Sequence, residues 1–127
     1  MNDTISDLVV RLKNGFIWKR LYIFVLNTVL TKNILVCLYW YGYISGFFVS
    51  EKYIQVYLKY KNGNSVIKNV KRISKPGKRV YSTYGSLWKL NVLNKKVIFS
   101  SSKGIFINEG LFFNLEKTGG ELLFKIE

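Results

Sequence analysis

Histidine and alanine are both missing from this 127-residue chain, and cysteine, proline and methionine occur once each. Without histidine there is no imidazole acid–base chemistry, no Ser–His–Asp triad and none of the common zinc sites. The single cysteine, Cys37, permits neither an internal disulfide nor a Cys-x-x-Cys site. Set in an apolar run, it reads as a small buried hydrophobe of a reducing compartment. The lack of alanine has no folding cause. Phe, Tyr, Met, Ile, Asn and Lys together number 58, against 15 for Gly, Ala, Arg and Pro, which is the codon imprint of an AT-rich genome. An organelle, a parasite or an endosymbiont is the expected source.

Acids are missing from the middle of the chain. Residues 52–108 hold 13 Lys and Arg and no Asp or Glu, although an average composition would put about seven acids there. Overall, 20 basic residues face 7 acidic ones, for a net charge of +13. Solubility needs net charge but does not need acids excluded from one segment, so the pattern points to a surface that meets a polyanion. Nucleic acid is the leading partner and an anionic membrane surface the second.

What is present supports one ordinary core. The 49% hydrophobic content excludes wholesale disorder, and a chain of this size buries enough surface to fold without staples. Asp3-Thr4-Ile5-Ser6-Asp7 opens a helix in capping-box fashion, which accounts for both acids without catalysis or metal binding. Ile5, Leu8, Val9 and Leu12 form its apolar face, and Asn14-Gly15 is expected to close it. Phe16 to Leu26 reads as a strand. Thr28 caps a second helix to about Tyr41, with Leu30, Ile34, Leu35 and Leu38 inward and Gly42 as its stop. The uncharged run 33–50 raises a transmembrane span, but Gly42, Gly46, the ring-bearing residues within it and the adjacent Lys32 argue against one. No small-residue cleavage site follows an apolar stretch, so a secretory signal is unsupported.

Lys52 to Tyr60 alternates, with Ile54, Val56, Leu58 and Tyr60 on one side, as a half-buried strand does. Asn62-Gly63 is a hairpin turn, with a returning strand expected through Val66, Val70 and Ile73. Ser74-Lys75-Pro76-Gly77 is a turn by composition, followed by a short strand at Arg79 to Tyr81. Val97 to Ser100 forms another strand, Asn108 is expected to cap a helical turn, and Gly119-Gly120 leads into a last strand from Glu121 to Ile126. The fold class is α+β, with two small lobes. An N-terminal α/β lobe, residues 1–63, packs two helices on a short sheet, and residues 64–127 form a mostly antiparallel-β lobe.

Three segments carry chemistry. In Lys71 to Tyr81, five cations surround a rigid turn and a tyrosine; cations neutralise phosphates and the ring can stack. Ser100-Ser101-Ser102-Lys103-Gly104 offers three hydroxyls, a cation and a close backbone approach, although such a loop can also hydrogen-bond itself. Gly119-Gly120-Glu121 is not a phosphate loop; its carboxylate can orient a lysine or accept from a base amino group. No catalytic constellation is present, so no enzyme activity, cofactor or metal is expected.

Together these segments resemble the universal small-subunit ribosomal protein S-eight family. Arg72-Ile73-Ser74-Lys75-Pro76-Gly77-Lys78-Arg79-Val80-Tyr81 matches R-[IV]-S-[KR]-P-G-x-R-x-Y. Ser100 to Gly104 matches S-T-S-K-G, and Gly119-Gly120-Glu121 matches G-G-E. The N-terminal D-x-[IL]-x-D-x-[IL]-x-R-[IL]-[RK]-N-G runs from Asp3 to Gly15. Gly42 to Phe47 and Leu58-Lys59-Tyr60 supply two further elements in order. The family's middle threonine is here Ser101, and its acidic end of the second helix is replaced by Tyr39-Trp40-Tyr41.

The resemblance implies a structural, non-catalytic component of the small ribosomal subunit. It implies binding to the central domain of small-subunit rRNA, beside neighbouring small-subunit ribosomal proteins, with no small-molecule substrate and no membrane insertion. Carried over by position, Ser100, Ser101, Ser102, Lys103 and Gly104 would grip an irregular stem, with Glu121 supporting them. Ser74, Lys75, Pro76, Gly77, Arg79 and Tyr81 would contact backbone nearby, and Thr4, Arg11 and Asn14 a second RNA surface. Composition places such a protein in a mitochondrion before a plastid or bacterial cytoplasm. A small basic membrane-associated protein and an RNA-binding regulator outside ribosomes are the competing readings.

Overall fold

A computed structural model describes residues 4–127; Asp3, expected as an acid at the positive end of the first helix, lies outside the described residues. The chain divides into two compact units, one ending at Val70 and one of Lys71–Glu127. The division therefore falls a few residues beyond the expected 63/64 boundary.

In the first unit, helix α1 (Thr4–Ile17) buries Leu8, Val9, Leu12 and Phe16. It does not end at Asn14-Gly15, as expected, but continues through both. Gly15 is needed for a close approach instead: a Cβ there would stand 2.7 Å from Ile23 Cγ2 and 2.9 Å from Leu58 Cδ1. The left-handed residue comes later, at Lys19 (φ 52°). The expected strand from Phe16 is thus shortened to β1 (Tyr22–Leu26). Helix α2 (Val29–Trp40) begins as expected, with the Thr28 hydroxyl accepting from Thr31 N at 3.1 Å, and Gly42 (φ 78°) follows its end. Ile34, Leu35 and Leu38 are buried, Leu30 half-buried. Strands β2 (Ile44–Val49) and β3 (Tyr53–Leu58) complete an antiparallel sheet of order β1-β3-β2. Its inner face presents Ile23, Val25, Ile54, Val56 and Leu58, so the alternation expected of β3 holds. The hairpin of β4 (Tyr60–Lys61) and β5 (Asn64–Ser65) turns through Asn62 and Gly63, both at positive φ, as a two-residue hairpin requires. The return is only those two residues long. The next strand, β6 (Val70–Arg72), joins a different sheet, so the single returning strand to Ile73 is not formed.

The second unit is built on β7 (Tyr81–Ser82), β8 (Lys96–Ser101), β9 (Gly104–Ile107) and β10 (Gly120–Ile126). The sheet order is β6-β10-β8-β9, and β7 also pairs with β10. Two helices accompany it, α3 (Tyr84–Val92) and α4 (Gly110–Glu116). The core is Leu87, Val97, Phe99, Phe113 and Leu122. Phe99 and Phe113 meet edge-to-face at 5.8 Å. The fold is α+β, as expected, with two helices and a short sheet in the first unit and a mostly antiparallel sheet, joined by two helices, in the second.

Asn108 is not a helix cap. Glu109 occupies the N-cap of α4, and Asn108 is fully buried. Its Oδ1 accepts from Val97 N at 2.9 Å, while Nδ2 donates to Leu87 O at 3.1 Å and Lys95 O at 2.9 Å. One side chain thereby ties α3, the turn after it and β8. Asn108→Ala should lower stability by about 3 kcal/mol, since it strands buried backbone groups. The urea midpoint should fall with an unchanged m-value.

Candidate nucleic-acid interface

The second unit gathers most of the expected binding residues on and around one sheet face. Ser100 on β8 lies directly opposite Glu121 on β10, and Glu121 lies opposite Tyr81 on β7. Directly paired residues share a face, so a hydroxyl, a carboxylate and a phenol form one row across three strands. Tyr81 is 67% exposed, which leaves its ring available for stacking.

Close backbone approach sets this row. A Cβ on Gly120 would stand 2.0 Å from Ser100 O, and one on Gly119 2.1 Å from Ser82 O. Glycine is the residue that lets β10 lie this close to both neighbours.

Two tight turns carry the cations. Lys75 and Lys78 exchange backbone hydrogen bonds at 2.9 Å, with Pro76-Gly77 at the tip. Ser74 is 2% exposed; its hydroxyl accepts from Val80 N at 2.9 Å and donates to Val80 O at 3.2 Å. It fixes the base of the turn, while Lys71, Lys75, Pro76, Gly77, Lys78 and Arg79 are exposed. The second turn, Ser102-Lys103, links β8 to β9. The Ser101 hydroxyl accepts from Lys103 N at 3.1 Å and donates to Gly104 O at 3.2 Å, so this hydroxyl shapes the turn from within. Ser102, Lys103 and Gly104 are exposed, with Gly104 at φ 133°.

Carboxylates hold two of the cations. One Arg79 nitrogen, Nη1, donates to both Glu121 oxygens, at 3.0 and 3.1 Å. Glu121 thus braces the arginine, and its link to the serine turn is its cross-strand position opposite Ser100. Lys103 Nζ meets Glu116 at 2.6 Å. Glu116, on α4 and 13 residues away in the chain, carries no sequence signal that it would reach this turn. Arg72 donates from Nε to Ser74 O. Burial lowers the Arg72 pKa, opposed by the Glu121 charge and aided by that of Arg79, which places all three in one electrostatic cluster.

Thr4, Arg11 and Asn14 belong to the first unit, spaced along one side of α1. Arg11 pairs with Asp7 at 3.0 Å and donates from Nη1 to Phe24 O at 3.1 Å, tying the helix to β1. Among the described residues, no group of His, Cys, Asp and Glu could hold a metal ion. None of their helices is long and apolar enough to cross a membrane.

The pattern of conserved positions that defines ribosomal protein S8 matches residues 3–126. The chain belongs to the ribosomal protein S8 family. It is 36% identical to small ribosomal subunit protein uS8c of Euglena gracilis, over 98% of this chain and 96% of that one. It is 39% identical to uS8m of Acanthamoeba castellanii, over 96% and 97%. Against uS8 of Anaplasma marginale (strain Florida) it is 36% identical, over 97% and 96%. As an S8 protein it is a structural constituent of the small ribosomal subunit and not an enzyme. Relatives of similar identity carry the organellar and the bacterial forms of the name.

Proposed function

We propose that this S8 protein binds the central domain of small-subunit rRNA, beside neighbouring small-subunit proteins, in a mitochondrial ribosome. The supporting observation is the Ser100–Glu121–Tyr81 row, flanked by the Pro76-Gly77 and Ser102-Lys103 turns. Exposed cations at the turns meet phosphates. The tyrosine face stacks on a base or ribose, and Ser100, Ser102 and Glu121 read base edges and 2′-hydroxyls. Ser74 and Ser101 position the two turns. On α1, Thr4, Arg11 and Asn14 offer a second set of contacts. The AT-rich codon imprint and the likeness to uS8m of Acanthamoeba castellanii support the mitochondrial assignment.

The test is binding to the organelle's own central-domain stem across a salt series, beside a stem whose bulged bases are fully paired. The native stem should bind at least tenfold more tightly, and Ser101→Ala with Ser102→Ala should erase that preference. Equal binding of all RNAs with a steep salt slope would show only the +13 charge at work. Cosedimentation with mitochondrial small-subunit rRNA, lost on magnesium chelation, separates a ribosomal component from a membrane-associated protein or a free regulator.

A further inference from the structure

The first unit carries a second surface of different chemistry. In the β1-β3-β2 sheet, the outward positions are Tyr22, Phe24 and Leu26 on β1, Tyr53 and Tyr57 on β3, and Phe48 on β2. All six are exposed, from 37% at Tyr57 to 66% at Phe48. An outward sheet face normally alternates to polar residues; here Gln55 is the polar exception. Three of the rings are in contact: Tyr22 meets Phe24 edge-on at 5.5 Å and Tyr57 at 6.0 Å. Cross-strand from Tyr57 stands Gly46, with no atom within 4 Å of where its Cβ would be. The face is therefore open at Gly46, which lies across from Tyr57 and two residues before Phe48 on the same strand.

Charge decides what covers this face. Up to Val70, the described residues include nine Lys and Arg but two acids, Asp7 and Glu51, and Asp7 is already paired with Arg11. The cations at the margins reach over rings: Arg20 lies 5.5 Å from the Trp18 ring and Lys52 5.8 Å from that of Tyr53. An occupant must therefore offer flat π groups to the middle and negative charge to the rim. Unpaired RNA has that alternation in every nucleotide, with sequence-tolerant stacking and phosphates at the edge.

We propose that the outer face of the β1-β3-β2 sheet is a stacking platform for an unpaired RNA segment, with one base seated at Gly46. The inference rests on the chain being an RNA binder but not on the second unit reading a stem. Its ligand is single-stranded, its contacts are rings, and its residues are in the other unit.

The experiment is fluorescence anisotropy of the full chain with a labelled, unstructured uridine-rich 12-mer, in salt high enough to suppress purely ionic binding. Phe24→Thr with Tyr57→Thr should raise the Kd by about 10- to 100-fold, the range for losing one or two stacked bases. These positions are exposed and threonine suits a strand, so the fold should survive, as far-UV circular dichroism will check. Gly46→Leu keeps every ring but occupies the open position where the base would sit, and should weaken the 12-mer at least fivefold. Phe24→Tyr should bind as the parent does. The central-domain stem separates the two readings: ring variants should leave its affinity intact, whereas Ser101→Ala with Ser102→Ala should weaken it and spare the 12-mer. An unchanged 12-mer Kd in the ring variants overturns the platform, as does tighter binding in Gly46→Leu. So does a concentration-dependent dimer, or a protein neighbour, protecting these rings while the 12-mer binds elsewhere.

Discussion

Alanine at Gly120 is expected to lower stability by about 3 kcal/mol and to disorder the serine turn, although it adds one methyl group. The methyl would stand 2.0 Å from Ser100 O, and that oxygen belongs to backbone that cannot swing aside. Strand β10 must then lift from β8, taking Glu121 out of line with Ser100. Urea denaturation reads the first effect, and loss of the bulged-stem preference reads the second. Gly119→Ala should cost a similar amount, but through Ser82 and β7, so the serine turn should be less disturbed. The internal control is Gly77→Ala. No atom lies within 4 Å of its Cβ position, and stability there should change by no more than about 0.5 kcal/mol.

The second large effect is electrostatic. With Lys71, Lys75 and Lys78 all changed to glutamine, RNA affinity at low salt should fall about a hundredfold. The salt slope should fall by about three, one for each phosphate that a lysine no longer neutralises. Preference for the bulged stem over the paired one should be unchanged, because cations on phosphates position an RNA without reading it. The serine variant should do the opposite, sparing the slope and removing the preference. If the triple lysine variant keeps its slope, these cations do not meet phosphate, and the binding face lies elsewhere. Together the two variants separate positioning from reading on one small surface.

Local patterns in the sequence made some of this structure legible. Alternation along Tyr53–Leu58 set the buried side of β3, and Asn62-Gly63 announced the one two-residue turn geometry that needs positive φ twice. Thr28 announced α2 by the same short-range logic. The failures share a cause in interactions between distant segments. Asn108 looked like a cap because Asn caps helices, but its three partners are Leu87, Lys95 and Val97. Gly15 looked like a helix stop; a neighbouring sheet demands its bareness instead. Helix α3 went unread although Thr83 caps it, with Oγ1 accepting from Ser86 N at 3.4 Å, and Asn94 (φ 60°) follows its end. Its exposed Trp88, Val92 and Leu93 blur the amphipathic pattern that would have revealed it. Of the candidate binding residues, the motif turns were visible, while the inward roles of Ser74 and Ser101 and the pairing of Lys103 with Glu116 were not.

Glu121 and Glu116 give the binding face an unusual relation to its surroundings. Each already sits against a cation, Arg79 or Lys103, in the place a phosphate would take. On the proposed face, an incoming polyanion would have to share Arg79 and Lys103 with a tethered competitor that no dilution of the buffer can remove. Arg79 and Lys103 would therefore release fewer dissolved ions than their number implies, and a salt titration would undercount the cations of the proposed face. That competition is the same for any polyanion, so a ligand that also offers donors to Glu121 and Glu116 would gain over one that does not. On the proposed face, the two carboxylates would select against the bulk of cellular nucleic acid.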